Sequence, residues 1–341
     1  MAIGQQISLA FLCQAHYDTR ITASSAPARY GMATIDDMLF QAEILLDRAE
    51  LQAALSLFDS ILAIDARNAA ARYGRGRVFF HANQYDTAHA EFSETLNLAP
   101  GDPDVLWYLA DTATHLNAHE DACAAYDLIV AQVPQEPLIY IRRGYSLYYQ
   151  GEIERALEDF RHARQLAPQD VDAIFAVGIA EYELDHYDDV ISTMDAVITL
   201  APQFALAYAY RGIALHYQND TNRALADCRR ALTLENELST GYFFRALILT
   251  DGEDHQAAIV DLNQTIRCGL RTPHVYQARG YNYAAIGDTQ RALADLNMAI
   301  EIDPSFMHAY ITRAEVYEHI GERALARADR KMIAKLEATQ E

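Results

Sequence analysis

The sequence predicts an all-α solenoid of antiparallel helix pairs, and two observations carry that prediction. The first is a strict period. Proline falls at 100, 134, 168 and 202, in steps of 34, and again at 304. Alanine keeps the same step at 54, 88, 122, 156, 224, 258, 292 and 326, with Val190 in the one gap. A small residue stands twelve positions before each, from Ala42 and Gly76 to Gly280 and Ala314. The second observation is the spacing of apolar residues by three and four within each unit, the mark of amphipathic helices.

Nine units follow, at 35–68, 69–102, 103–136, 137–170, 171–204, 205–238, 239–272, 273–306 and 307–340, without insertion or deletion. The fourth illustrates all of them. A first helix reaches about Tyr149, Gln150–Gly151 turns the chain, and a second helix runs from about Ile153 to Leu166. Pro168 then stops propagation, because the residue before a proline is pushed out of the helical region. Gly144 and Ala156 have little or no side chain, so the helices approach closely, and Phe160 fills space on the face that carries Ala156. Such a pair cannot bury its faces alone and must stack on its neighbours. Residues 1–34 lie outside the frame as an N-terminal extension, with Gln5 to His16 expected as a capping helix before a loop, or with Met32 as the start of translation. The last helix, from Arg323, carries Arg327, Arg330, Lys331 and Lys335, charges suited to solvating an end face.

Composition excludes several classes. Of 341 residues, 51% are hydrophobic, too many for a disordered chain. A net charge of −21 argues against nucleic acid as partner. Cys13, Cys123, Cys228 and Cys268 are widely spaced, which indicates reduced thiols and a cytoplasmic setting rather than a disulfide framework or zinc ribbon. No run approaches the ~18 apolar residues of a membrane helix, and the N-terminus lacks the positive region of a signal peptide. No G-x-S-x-G, Walker loop, dinucleotide glycine motif or H-E-x-x-H occurs, so neither an enzyme nor a cofactor is expected.

The period and its contents resemble the tetratricopeptide repeat. Tyr140, Gly144, Leu147, Ala156, Phe160 and Pro168 match that pattern in the fourth unit, as do Tyr276, Gly280, Tyr283, Ala292, Leu296 and Pro304 in the eighth. The resemblance implies a right-handed superhelix whose first helices line a concave groove, and it implies binding without naming a ligand. The lysines and asparagines with which members of that family clamp a C-terminal carboxylate are absent here. The recurrent tyrosines at position four (Tyr140, Tyr208, Tyr242, Tyr276, Tyr310) are expected in the core.

Position seven carries a second pattern. Arg75, Arg143, Arg211, Arg245, Arg279 and Arg313 occupy it, and sixteen residues on stand Glu91, Asp159, Asp227, Asp261, Asp295 and Asp329. Units with Gln41, Leu109 or Val177 instead lack the acid too. Covariation within one chain points to an Arg–carboxylate pair joining first helix to second, of the kind a guanidinium can make bidentate.

Positions 2, 5, 9, 12 and 13 share the face that would line the groove. The candidate partner-binding residues there are Tyr73, Arg77, Trp107, Asp111, Ile141, Tyr145, Tyr148, Phe175, Tyr182, Tyr217 and Phe243. Exposed aromatics of this kind usually mark binding sites. The third unit has six acids and no base, and the fifth seven acids and no base. With Asp104, Asp111, Asp172 and Glu183 on or beside the aromatic face, a partner with apolar and basic residues is expected. The expected function is a non-catalytic scaffold for a peptide or protein. The alternatives are a self-associating solenoid and a small-molecule or metal sensor using His81, Asp111 and His115. Glu181, at a position mostly apolar in other units, is expected to find a partner such as Arg211.

Overall fold

The computed structural model describes residues 34–338, so the expectations for residues 1–33 (the capping helix, Cys13, Met32) lie outside the described residues. The described residues form eighteen α-helices and no strand, in two compact lobes of residues 34–168 and 169–338. The N-terminal lobe holds four helix pairs: α1 (Ile35–Asp47) with α2 (Leu51–Ile64), α3 (Ala69–His81) with α4 (Tyr85–Leu98), α5 (Pro103–His115) with α6 (His119–Gln132), and α7 (Pro137–Tyr149) with α8 (Ile153–Leu166). The C-terminal lobe holds five: α9 (Val171–Glu183) with α10 (Tyr187–Leu200), α11 (Ala205–Tyr217) with α12 (Thr221–Leu234), α13 (Ser239–Asp251) with α14 (His255–Arg267), α15 (Pro273–Ala285) with α16 (Thr289–Ile302), and α17 (Met307–His319) with α18 (Arg323–Glu337). Within each lobe a helix packs on its partner in the pair and on the adjoining pair.

The same turn closes every pair. The middle one of its three residues is left-handed in all nine: Ala49, Asn83, Asn117, Gly151, Asp185, Asn219, Glu253, Gly287 and Gly321. Glycine or asparagine meets that demand without much strain, whereas Ala49 at φ 57° and Glu253 at φ 60° do not. Asn68, Asp102 and Asp170 cap the first helices after them by accepting backbone N–H groups.

In the second and fourth pairs a buried glycine at position eight faces a phenylalanine sixteen residues later. A Cβ on Gly76 would sit 2.6 Å from Phe92, and one on Gly144 2.5 Å from Phe160. In the first and third pairs, where position eight is alanine, the large side chain goes elsewhere. Ala42 occupies that space in the first pair, and the ring of Phe58 lies instead where a Cβ of Gly74, in the next pair, would be. In the third pair Tyr126 stands at the Phe position, and its hydroxyl donates to Asp111 Oδ1 at 3.0 Å.

The Arg–carboxylate pairs form in all six pairs expected to have them. Nε and Nη2 of Arg143, Arg211, Arg245, Arg279 and Arg313 hold both oxygens of Asp159, Asp227, Asp261, Asp295 and Asp329, at 2.6–2.9 Å. Arg75 holds Glu91 through Nη2 at 2.7 Å. A third partner was not anticipated. Nη1 reaches back to the second helix of the preceding pair: Arg75 to Asp59 at 2.9 Å, Arg143 to Asp127 at 2.6 Å, Arg211 to Asp195 at 2.5 Å, Arg279 to Asn263 at 2.8 Å and Arg313 to Asn297 at 2.6 Å. One guanidinium thus ties three helices, within a repeat and across its boundary. It also lies over the position-four ring, 5.6 Å from Tyr140 and 5.4 Å from Tyr310. Of those tyrosines Tyr140 and Tyr310 are buried. Tyr208, Tyr242 and Tyr276 are only half-buried, and the hydroxyls of Tyr208 and Tyr242 reach the rim to donate to the carbonyls of Pro202 and Asn236.

Candidate partner-binding faces

In the N-terminal lobe the first helices α3, α5 and α7 present Tyr73 and Arg77, Trp107 and Asp111, and Ile141, Tyr145 and Tyr148. Tyr73, Trp107 and Tyr145 are half-buried, each resting one side on the core: Tyr73 on Phe92 and Tyr108, Trp107 on Tyr126 at 6.1 Å, Tyr145 on Phe160 at 5.0 Å. Ile141 and Tyr148 are buried. The charged members are engaged within the fold. Arg77 donates to Glu43 at 2.6 Å and its guanidinium lies 5.5 Å from the Tyr73 ring. Asp111 is 6% exposed, accepts from Tyr126 and pairs with Arg142 at 3.6 Å. Its carboxylate is aimed into the fold rather than at a ligand.

Phe80 and His115, which the helical period also assigns to this face, form an aromatic rung at its end with Tyr85, which was not anticipated there. Phe80 meets Tyr85, Tyr108 and His115 edge-on, and the rings of Tyr85 and His115 stack at 4.2 Å and 5°. Tyr85 comes from a second helix, and only the first helices were read for the face. The rung recurs one repeat on, where His119 stacks on Tyr149 at 5.0 Å. Burial lowers His81, His115 and His119 below the ordinary imidazole value, and for His115 the nearby Asp111 partly opposes this.

That packing overturns the metal cluster considered for His81, Asp111 and His115. Among the described residues no group of three or more His, Cys, Asp or Glu is placed to hold a metal ion. The carboxylate that such a cluster would need is engaged elsewhere, since Asp111 accepts from Tyr126 and pairs with Arg142.

The C-terminal lobe closes its equivalent face. Phe175 and Phe243 are 5% and 2% exposed. Phe175 packs on Phe204 and Tyr210 at 4.8 and 5.6 Å, and Tyr182 is held edge-on by Tyr210 and tilted against Phe244 at 5.5 and 5.6 Å. Adjacent first helices come close enough for rings at positions 5, 6 and 12 to interlock. Tyr217 remains 44% exposed, stacked on Tyr187 at 4.4 Å. Glu181 is buried and accepts from Thr193, in its own repeat, at 2.8 Å, while Arg211 holds Asp227 and Asp195. Among the described residues Cys123, Cys228 and Cys268 are free thiols, and no helix is long and apolar enough to cross a membrane.

Helix pairs of constant length, a left-handed turn at one position and a small-to-large contact at another define a helical repeat protein. Tetratricopeptide repeat models match residues 45–97, 82–137, 137–170 and 273–306, and the chain belongs to the tetratricopeptide repeat family. It is similar to the crystal structure of a tetratricopeptide repeat protein from Parabacteroides merdae, with 17% identity and a TM-score of 0.60 over 72% of this chain and 97% of that one. It is also similar to the Cut9–Hcn1 hetero-tetramer of the APC/C, with 15% identity and a TM-score of 0.60 over 88% of this chain and 60% of that one. Likeness at such identities shows the fold alone.

Proposed function

We propose that this chain is a non-catalytic protein-interaction scaffold, and that the N-terminal lobe receives an extended peptide or protein segment along α3, α5 and α7. One observation carries the reading. Tyr73, Trp107 and Tyr145 stay half-open on one face, whereas the matching Phe175 and Phe243 are closed by their neighbours. Open aromatics supply contact area at low entropic cost, and Trp and Tyr dominate binding hot spots. Asp104, exposed at the start of α5, and the surplus of acids in that repeat favour a partner bearing Arg or Lys beside apolar residues.

The test is selection of a random peptide library on the full chain, with the affinity of the selected peptides then measured by calorimetry. Peptides rich in apolar residues with Arg or Lys are expected, and Trp107→Ala/Tyr145→Ala with unchanged helical CD should weaken them at least tenfold. Asp104→Lys, a change at an exposed side chain, should select against basic peptides. Acidic selected sequences, or equal binding by the aromatic variant, would sink the reading.

A further inference from the structure

Inside the lobes, repeats join by a constant set of positions. Positions 3 and 10 of one repeat, Ala71 and Val78, are buried in one cluster with Ala54, Phe58 and Ile61 of the repeat before, its positions 20, 24 and 27. Positions 3 and 6 of the next, Val105 and Tyr108, are buried with Ala88 and Phe92 in the same way. Position 7 adds the arginine that reaches position 25 of the preceding repeat, as Arg143 reaches Asp127.

Both halves of that joint stand open at the two ends of the described residues. On α1 positions 3, 6 and 10 are Asp37, Phe40 and Ile44. Phe40 is 54% exposed, Asp37 is exposed and Ile44 is half-buried, although their counterparts Ala71, Gly74 and Val78 are all buried. On α18 position 27 is Ile333, half-exposed where Ile61, Ile129 and Val197 are buried, and position 24 is Arg330 in place of an aromatic. The residues departing from the repeat pattern are complementary across the two ends. Acid stands on α1 at Asp37, whose carboxylate also accepts from Thr34, where other repeats are uncharged, and base stands on α18 at Arg330, which also pairs with Glu318 at 2.6 Å. Position 7 is Gln41 rather than the arginine of six repeats, and position 25 is Lys331 where five of those arginines find Asp or Asn. Lys331 can donate to the side-chain carbonyl of the Gln41 amide. The first repeat carries seven acids against two bases, and α18 five bases against two acids, one of them Asp329 held by Arg313.

We propose that α18 of one copy docks on α1 of a second copy through this joint, with Ile333 on Phe40 and Ile44, Arg330 near Asp37 and Lys331 on Gln41. The contact is heterologous, so each dimer still offers one open half at either end and assembly propagates. It is independent of the aromatic face of α3, α5 and α7, and either can fail without the other.

The experiment is sedimentation of the full, untagged chain over a concentration series. Average mass should rise with concentration at about 50 mM salt and return toward the monomer at about 500 mM, since charge attraction is screened within a few ångströms there. Phe40→Arg, and separately Arg327→Glu/Lys331→Glu, change only exposed residues and should each stay monomeric with unaltered CD. Mixed one to one, they bring together one intact α18 end and one intact α1 end, and the mass should then rise to a dimer and stop. A wild type that stays monomeric throughout, mass growth that survives both variants, or a mixture that remains monomeric overturns the proposal.

Discussion

Gly76→Ala tests the small-to-large contact at the heart of the repeat. The added Cβ would lie 2.6 Å from Cε1 and 2.9 Å from Cδ1 of Phe92. Carbon atoms rest about 3.5–4.0 Å apart, so the ring must retreat by about 1 Å. It has little room, being fully buried and stacked on Tyr108 at 5.3 Å with Tyr73 at 6.1 Å. Overpacking of this kind costs about 1–3 kcal/mol, and alanine's better helix propensity returns up to ~1 kcal/mol. A net loss of about 1–2 kcal/mol follows, or a five- to thirty-fold rise in the open fraction. Repeat arrays open locally, so the assay is native-state hydrogen exchange read on the amides of α3 and α4. Phe92→Leu should relieve the clash, because an alanine–leucine pair already occupies these positions at Ala246 and Leu262, both fully buried. The double variant should therefore lose less protection than the two single losses added together. Unchanged protection in Gly76→Ala, or strict additivity in the double, would refute the reasoning.

Arg143→Met strands the buried carboxylate of Asp159 and should cost about 3 kcal/mol, with Arg143→Met/Asp159→Leu recovering much of it in chemical denaturation. An equally unstable double variant would show that the pair matters through packing rather than charge. Ala49→Gly and Glu253→Gly remove left-handed strain and should each stabilise by about 1 kcal/mol, seen as a higher urea midpoint, whereas a drop would mean that the turn carries no strain. Burial holds His81, His115 and His119 below the ordinary imidazole value of about 6.5, so the unfolded chain takes up protons first as pH falls. The stability they contribute is complete above that value and is lost as pH falls through the lower folded values. Denaturation at pH 7.5 and 5.5 should show this loss for the N-terminal lobe and a smaller loss in His115→Gln, and the opposite slope would contradict it. Glu181→Leu leaves the buried Thr193 hydroxyl without its acceptor and should cost about 1–3 kcal/mol, part of which Thr193→Val returns.

The contacts that repeat were legible because their determinants recur in the chain. An arginine and an acid sixteen residues apart appear or vanish together, and the bidentate pairs of Arg143 with Asp159 and Arg279 with Asp295 are the physical cause. The same spacing counted backwards holds Asp59, Asp127, Asp195, Asn263 and Asn297, so the third partner was also in reach. It escaped notice because asparagine replaces aspartate in two cases and Arg229 stands before Arg245, which dilutes a search for charge alone. The faces were less legible for a different reason. A helical period assigns Phe175 and Tyr73 to equivalent places, but exposure depends on what the neighbouring repeat sets beside them. Phe204 and Tyr210 close over Phe175, while Tyr73 keeps one side open above Phe92 and Tyr108. Asp111 makes the same point for charge, since its place on the face is periodic and its capture by Tyr126 and Arg142 is not. Periodicity therefore fixes which residues can meet a partner, and the irregular residues of adjacent repeats decide which of them remain free to do so.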